Sequence, residues 1–297
     1  MRLRQVYDQS CNAPIMATFF GNIQGASCMA YSPNGITVVI ALMNGLVSFW
    51  DSETGLEHKS WQAHTKPLLA IAFSQAGQLF ASASSDGVVK VWDMGSTDLQ
   101  KLLSAVPDDG KASAQHAISE VSITFSPDGT FLAVLSPFWR KIWNTNTWEE
   151  TRRFDGPGYN IIRDGNCIAL SPDNTRCAIA DSKRIFITDR DGPLLHYYIR
   201  ADGVHRHLVF SDDGNLIRST RGTFDVINMR RVRWPHTTRK QFPTNLYLDD
   251  GWVIDDCGRR CCCVPEAFRQ GDCYAAHGNK IVFAGNGRLM FLKLLSG

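Results

Sequence analysis

The sequence predicts an all-β fold built from copies of one small sheet, and three observations predict it. Five turn motifs recur along the chain: YSPNG at 31–35, FSQAG at 73–77, FSPDG at 125–129, LSPDN at 170–174 and FSDDG at 210–214. Their serines, Ser32, Ser74, Ser126, Ser171 and Ser211, are separated by steps of 42, 52, 45 and 40 residues. Each turn is followed at near-constant distance by a strand end, namely Trp50-Asp51, Trp92-Asp93, Trp143-Asn144, Thr188-Asp189 and Ile227-Asn228. Between these points, ITVVIAL, VVKVW and RIFITD have the β-branched and aromatic composition of strands. Pro, Asn, Asp and Gly supply the backbone angles that tight turns need. A period near 40–45 residues, about four short strands per turn of the pattern, is that of a stacked sheet array.

The second repeat, residues 64–93, carries the chemistry of the unit. His64 falls in the loop entering the sheet, Ser82 on the second strand, Asp86 in the next tight turn and Trp92 on the third strand. Imidazole and hydroxyl can each donate and accept, a carboxylate only accepts and an indole only donates. The four types can therefore satisfy one another as a buried network, which is costly if left partly unpaired. This stretch, ending in Trp92-Asp93, resembles a blade of the WD-repeat β-propeller family.

The network thins elsewhere. His116 matches His64, but Pro137 stands at the Asp86 position; Asn22 and Asn44 replace histidine and aspartate in the first repeat; Ile161 and Ala201 replace the histidine in the fourth and fifth. Two weaker strand groups follow at 245–265 and 273–295, bringing the expected total to seven blades: five recognisable repeats and two degenerate C-terminal ones. The expected organisation is one propeller over 1–297, with 14–20 as the closing strand, 21–228 as the five repeats, 229–244 as a basic inter-blade loop and 245–297 as the last two blades. Segment 14–20 has no blade of its own and is expected to pair as the outer strand beside 289–295, so that no long sheet edge is left open.

The last third also resembles the C-terminal end of the WD-repeat region in fungal NACHT-type, heterokaryon-incompatibility-like signalling proteins. The shared features are FSDDGNLIRSTRG at 210–222, then Trp252-Val253-Ile254, Pro265 with Arg269, His277-Gly278, and Gly285 and Gly287. Cys261, Cys262 and Cys263 depart from it where large apolar residues are usual. The resemblance implies a sensor or scaffold module. The nucleotide-binding part of that family is absent from this sequence.

Composition is that of an ordinary globular chain, 44% hydrophobic and 20% charged with a formal charge of +2, which exerts no overall pull toward nucleic acid or membrane. No apolar run reaches the roughly 18 residues of a membrane span, and the start lacks the apolar core of a secretory leader. Nine cysteines without disulfide patterning suit a reducing compartment, so the expected location is cytoplasmic, with the nucleus as the alternative. The cluster Cys257, Cys261, Cys262, Cys263 and Cys273 has no paired knuckle spacing, and adjacent strand residues face opposite ways, so no metal site is expected there. His205 and His207 share a strand face but have no third ligand. No phosphate loop, nucleophile elbow or zinc-protease helix is present, and Asp249-Asp250 and Asp255-Asp256 read as solvated turn residues. Neither catalysis nor a cofactor is expected.

Function is then expected on the propeller rim as binding of a protein partner. Asn44, Asp86, Phe138, Lys183 and Arg221 fall near the second-to-third-strand turns. Phe138 and Trp139 place two large aromatics at a turn that should be wet, and aromatics and Arg dominate interface hot spots. Trp61, Lys66, Phe138, Trp139 and Arg221 are the candidate contact residues. The alternative is an RNA-associated propeller, in which Arg230, Arg231, Arg233, Arg239 and Lys240 contact phosphates around a stacking Trp234.

Overall fold

The computed structural model describes residues 2–4, 15–21, 23–104, 120–136, 139–155, 167–192, 198–201, 205, 208–219, 222–232, 246–249, 252–254, 260–264, 268 and 273–294. The chain is all-β in this range apart from single residues. It divides into two compact units, one holding Met1–Leu68 with His236–Gly297 and the other Leu69–Pro235.

In the first unit, β1 (Arg2–Arg4) and β2 (Ile15–Gly21) precede the first sheet, an antiparallel meander of β3 (Ala26–Tyr31), β4 (Thr37–Leu42), β5 (Leu46–Asp51) and β6 (Glu57–Gln62). The second sheet is β7 (Leu68–Phe73), β8 (Leu79–Ser84), β9 (Val88–Asp93) and β10 (Leu99–Ser104), and it begins the second unit. The third is β11 (Ser122–Phe125), β12 (Phe131–Leu135), β13 (Trp139–Asn144) and β14 (Glu150–Asp155). The fourth is β15 (Cys167–Leu170), β16 (Arg176–Ala180), β17 (Arg184–Asp189) and β18 (Tyr198–Arg200), and the fifth is β19 (Leu208–Phe210), β20 (Leu216–Ser219), β21 (Gly222–Asp225) and β22 (Arg230–Val232). Back in the first unit lie β23 (Tyr247–Asp249), β24 (Trp252–Ile254) and β25 (Arg260–Cys263), then β26 (Tyr274–His277), β27 (Lys280–Gly285) and β28 (Arg288–Leu294).

The expected closure is present: β2 pairs with β28 from Ile15↔Leu294 to Gly21↔Arg288. β1 then adds a fifth strand outside β2, which the sequence did not signal. The expectation of seven like blades is met only in part. Six sheets have four or more strands, whereas β23–β25 has three among the described residues.

The recurring turn sequence works through one hydroxyl. In the first, third, fourth and fifth sheets the serine Oγ donates to the side chain two residues on, Asn34, Asp128, Asp173 or Asp213, at 2.5–2.7 Å. The same oxygen accepts the amide of Thr37, Phe131, Arg176 or Leu216 at 2.9–3.0 Å. Ser74 keeps the second bond, to the amide of Leu79, although Ala76 replaces the acceptor. At the other turn of the same end, Asp51, Asp93, Asn144 and Asp225 each accept the amides two and three residues on. These side chains satisfy backbone donors that the bends leave without a ladder partner.

Two further expectations need correction. The fifth repeat ends at Phe224-Asp225 rather than Ile227-Asn228: β21 closes at Asp225, which caps the turn, and Ile227 is exposed within it. Nor is 229–244 wholly a loop, because Arg230–Val232 is β22, the outer strand of this sheet. A sheet needs a partner for each inner strand, and three basic-flanked residues suffice here.

Sheets in one unit bury their apolar faces against the next. Ala178, Ala180, Ile185 and Ile199 of the fourth pack with Phe210, Ile217 and Phe224 of the fifth. Tyr31, Val38 and Ile40 of the first pack with Ala275, Val282 and Phe291. Polar links tie the turns across these seams. Arg176 donates to the Gly214 carbonyl at 3.0 Å, Asn174 to Asp128 at 2.6 Å, and Lys280 to the Gly35 carbonyl at 3.2 Å. Gly35 sits at φ +66°, and an added Cβ would meet the His277 ring at 2.3 Å, so the seam requires glycine there.

Candidate interaction surface

The buried polar network is the local chemistry that sets the entering loops and second-to-third-strand turns. In the second sheet Trp92 Nε1 donates to Ser82 Oγ at 3.1 Å across the β8–β9 pair. Asp86 accepts the Ser84 hydroxyl and, at 3.1 Å, the Val88 amide. His64 lies buried in the loop before β7. The four residues stand where the sequence puts them, but the expected mutual network needs correction: Asp86 is exposed and serves Ser84 and the Val88 amide within its own turn, while Trp92 bonds to Ser82.

The first sheet solves the same problem differently. Ile40 occupies the place of Ser82, but Trp50 Nε1 donates to Ser48 Oγ at 2.8 Å, on its own strand. Ser48 pairs across to Ile40 as Lys90 pairs to Ser82, so the hydroxyl has moved from the second strand to the third. Asn44 accepts the Leu46 amide at 3.1 Å, doing the work of Asp86.

In the fifth sheet the histidine is His205, not lost at Ala201. Its ring is fully buried, with Nε2 2.8 Å from the Ala201 carbonyl and Nδ1 2.9 Å from Ser219 Oγ. A carbonyl only accepts, so in the neutral ring Nε2 carries the proton and Nδ1 accepts from the Ser219 hydroxyl. Ser219 matches Ser82 in register and Phe224 matches Trp92, with the imidazole edge-on to Phe224 at 6.1 Å. The entering loop is longer here, and the carbonyl at 201 holds the ring that arrives at 205. A fixed offset misses it; the pairing of a histidine upstream of the fourth residue of a second strand would have found it.

In the fourth sheet the β16–β17 turn is organised by Asp181, buried, which accepts the amides of Lys183 and Arg184 at 2.7 Å and holds the Arg184 guanidinium at 2.7 and 3.1 Å. The sequence pointed to Lys183 alone, which is exposed.

The candidate contact residues divide by environment. Lys66 is exposed in the loop between β6 and β7. Trp61 is half-buried, stacked on Phe49 at 4.8 Å with the Lys59 ammonium 5.2 Å from its centroid. Lys90 over Trp92 and Lys141 over Trp143 repeat that spacing, because residues two apart on a strand share a face. The backbone of Trp139 begins β13, and its side chain, Phe138 and Arg221 lie outside the described residues. So do Arg233, Trp234, Arg239 and Lys240, while Arg230 and Arg231 are exposed on β22. The structure thus does not bring the five contact candidates together as a described patch. Among the cysteines, Cys262 is buried with Val253 and Val264, and Cys261 and Cys263 are half-buried. Burial raises the Cys28 thiol to about 12, against a weaker lowering by Ser27, so it stays protonated. No helix among the described residues is long and apolar enough to cross a membrane.

Comparison with known families matches residues 55–93 to the WD domain, G-beta repeat. The periodic tryptophan protein 2 homolog of Schizosaccharomyces pombe is 28% identical over 132 residues, 44% of this chain and 14% of that protein. Pre-mRNA-processing factor 19 of Oryza sativa is 27% identical over 111 residues, 37% of this chain and 19% of that protein. Polyadenylation factor subunit 2 of Candida albicans is 27% identical over 123 residues, 41% of this chain and 21% of that protein. The matched stretches therefore span about a fifth or less of these relatives' own lengths. What the likeness carries is the WD-repeat blade, a fold that typically serves as a scaffold for interactions.

Proposed function

We propose that the chain is a non-enzymatic interaction scaffold, a WD-repeat sensor or platform that binds a protein partner on one propeller face. The observation that carries this reading is where the polar side chains go. Sheet after sheet, Ser, Asp and His are consumed in holding backbone amides and carbonyls of the turns. Such turns hold their loops in fixed positions, which suits multivalent display rather than bond chemistry. Two relatives are named as a pre-mRNA-processing factor and a polyadenylation factor subunit, which supports work within a multi-component assembly.

The finer likeness to the sensor end of fungal NACHT-type proteins belongs to this proposal, as does a cytoplasmic or nuclear setting. Lys66, Trp61, Phe138, Trp139 and Arg221 are its contact residues, Trp61 through the exposed part of its ring. The test is affinity capture from native lysate with the wild type and a Phe138→Ala/Trp139→Ala variant shown to melt at the same temperature. A discrete protein partner lost with the variant supports the reading. Equal recovery by both, or no stoichiometric partner, overturns the contact assignment.

A further inference from the structure

The seam between the first sheet and the sheet of β26–β28 brings together residues distant in sequence within the first unit. Most of it is apolar, but at the turn end it closes on a group of charged side chains. Glu53, in the β5–β6 turn, holds the Lys280 ammonium at 2.6 Å and that of Lys293 at 3.2 Å. Lys280 also donates to the Ser52 hydroxyl at 3.1 Å and to the Gly35 carbonyl at 3.2 Å. One ammonium from the last sheet thus ties both turns of the first, β3–β4 and β5–β6.

His277 stands beside this tie. It ends β26 and is the cross-strand partner of Lys280, which begins β27. Its ring lies on Gly35, where a Cβ would meet Cδ2 at 2.3 Å and Nε2 at 2.7 Å. From β3, the buried Tyr31 ring lies 6.0 Å away. Burial penalises a charged ring, and like charges directly opposite on paired strands repel, so the imidazole suits this place only while neutral. Both effects, burial first and then Lys280, hold its pKa below the ordinary 6.5.

Among the described residues, the charged and titratable groups around it are Tyr31 on β3, Glu53 in the β5–β6 turn, Lys280 on β27 and Lys293 on β28. Burial, and then Glu53, raise the Tyr31 phenol, which stays neutral. Hydrogen bonds from Lys280 and Lys293 hold Glu53 below its ordinary value, so it stays charged. Imidazole is the side chain whose charge ordinarily changes between about pH 5 and 8.

We propose that this corner is an acid-released clasp: a proton taken up by His277 sets a second cation against Lys280 and frees both turns of the first sheet from the last sheet. A ring clear of the seam protonates near 6.5, and the ring seated on Gly35 only at lower pH. The closed form is therefore unopposed above about pH 7 and loses ground as pH falls from about 6.5 toward the seated value. Acidification then loosens the turn end of the first unit, where Ile36 and Leu56 are exposed. Lys66 lies beyond the other end of β6, so the clasp goes beyond the protein-partner reading and the two fail separately.

The experiment is hydrogen–deuterium exchange of the full chain from about pH 7.5 to about pH 5.5, read by mass spectrometry with each rate corrected for the pH dependence of the chemical step. Peptides covering 31–57 and 273–294 report the seam, and 167–189 of the fourth sheet is the reference. Protection of the seam peptides is expected to fall about tenfold across this range, the factor that one pKa unit carries, while the reference holds. His277→Gln, neutral throughout, is expected to abolish the fall. Glu53→Gln is expected to lower protection at about pH 7.5 and to keep the fall. NMR titration of His277 in the wild type needs no variant, and its pKa is expected below 6.5. A value at or above 6.5, no fall in the wild type, an equal fall in the reference, or a fall that survives in His277→Gln overturns the proposal. So does unchanged protection at about pH 7.5 in Glu53→Gln.

Discussion

The second and fifth sheets place a serine at the same register of the second strand and a different aromatic at the matching place on the third. In the second, the indole of Trp92 is satisfied by Ser82. In the fifth, Phe224 needs no acceptor, and the serine in the same register, Ser219, turns instead to His205. What the pair teaches is that the hydroxyl is the fixed element. It sits at the same register of the second strand in both sheets, bonded to Trp92 in one and to His205 in the other. The first sheet shows the limit of that rule, since Trp50 brings its own hydroxyl, Ser48, once the second strand has given it up.

The largest effect should come from the apolar half of the fifth sheet. Phe224 is almost wholly buried, between the fourth and fifth sheets and beside His205. Phe224→Ala removes its transfer free energy and opens a cavity, and we expect a loss of about 4 kcal/mol. Phe224→Trp sharpens the comparison. It restores the residue of the second sheet, but its N–H would compete with His205 for Ser219 in a filled core, so we expect it to destabilise by about 2 kcal/mol rather than stabilise. Urea unfolding of both variants measures this, and a gain in stability for the Trp variant would show that the two arrangements are not alternatives.

His205→Ala follows. It strands the Ala201 carbonyl in a buried site, takes one partner from the Ser219 hydroxyl and leaves a void against Phe224, for an expected loss of about 3 kcal/mol. Ser82→Ala in the second sheet should cost less, about 1.5 kcal/mol, since it takes an acceptor from the buried Trp92 N–H without opening a ring-sized void. Equal losses in the two sheets would sink the claim that the histidine anchors the fifth more heavily than the hydroxyl anchors the second.

The same contrast explains what could be read from the sequence. The repeats, the Trp92–Ser82 bond of the second sheet and the closing strand were legible, because each rests on spacing along the chain, whereas Asp86 serves its own turn instead of joining the expected network. His205 was not, because its position depends on a loop whose length varies, and Ala201 stood where the fixed spacing pointed. β22 was hidden in a run of arginines that composition reads as a loop, and β1 has only three residues. Ser48 carried a signal, a serine two before Trp50 where lysine precedes Trp92, but a search for the hydroxyl on the second strand passes over it. Of the candidate surface, the exposed loop lysine could be placed from sequence, whereas the placing of the β22 arginines depends on cross-strand register.

The smallest effect is confined to acid and separates the turns of the third and fourth sheets from that of the first. Burial would raise the Asp128 carboxyl, but hydrogen bonds from Ser126, Thr130 and Asn174 outweigh it and hold it at about 2. The Ser171 hydroxyl, against partial burial and with help from Thr175 and Arg176, holds Asp173 at about 2 as well. Both lie below the ordinary value, so the folded chain binds fewer protons than the unfolded chain in this window. Their contribution is then complete above about pH 4 and is lost as pH falls through about 2. Asn34 occupies the same turn in the first sheet, accepts the same serine and does not titrate. Converting both aspartates, Asp128→Asn/Asp173→Asn, should therefore leave stability at neutral pH slightly lower and flatten its decline between about pH 4 and 2. Urea midpoints at a series of pH values read this directly. An unchanged acid slope in the double variant would mean that the turns of the third and fourth sheets gain no more from a carboxylate than the first gains from its amide.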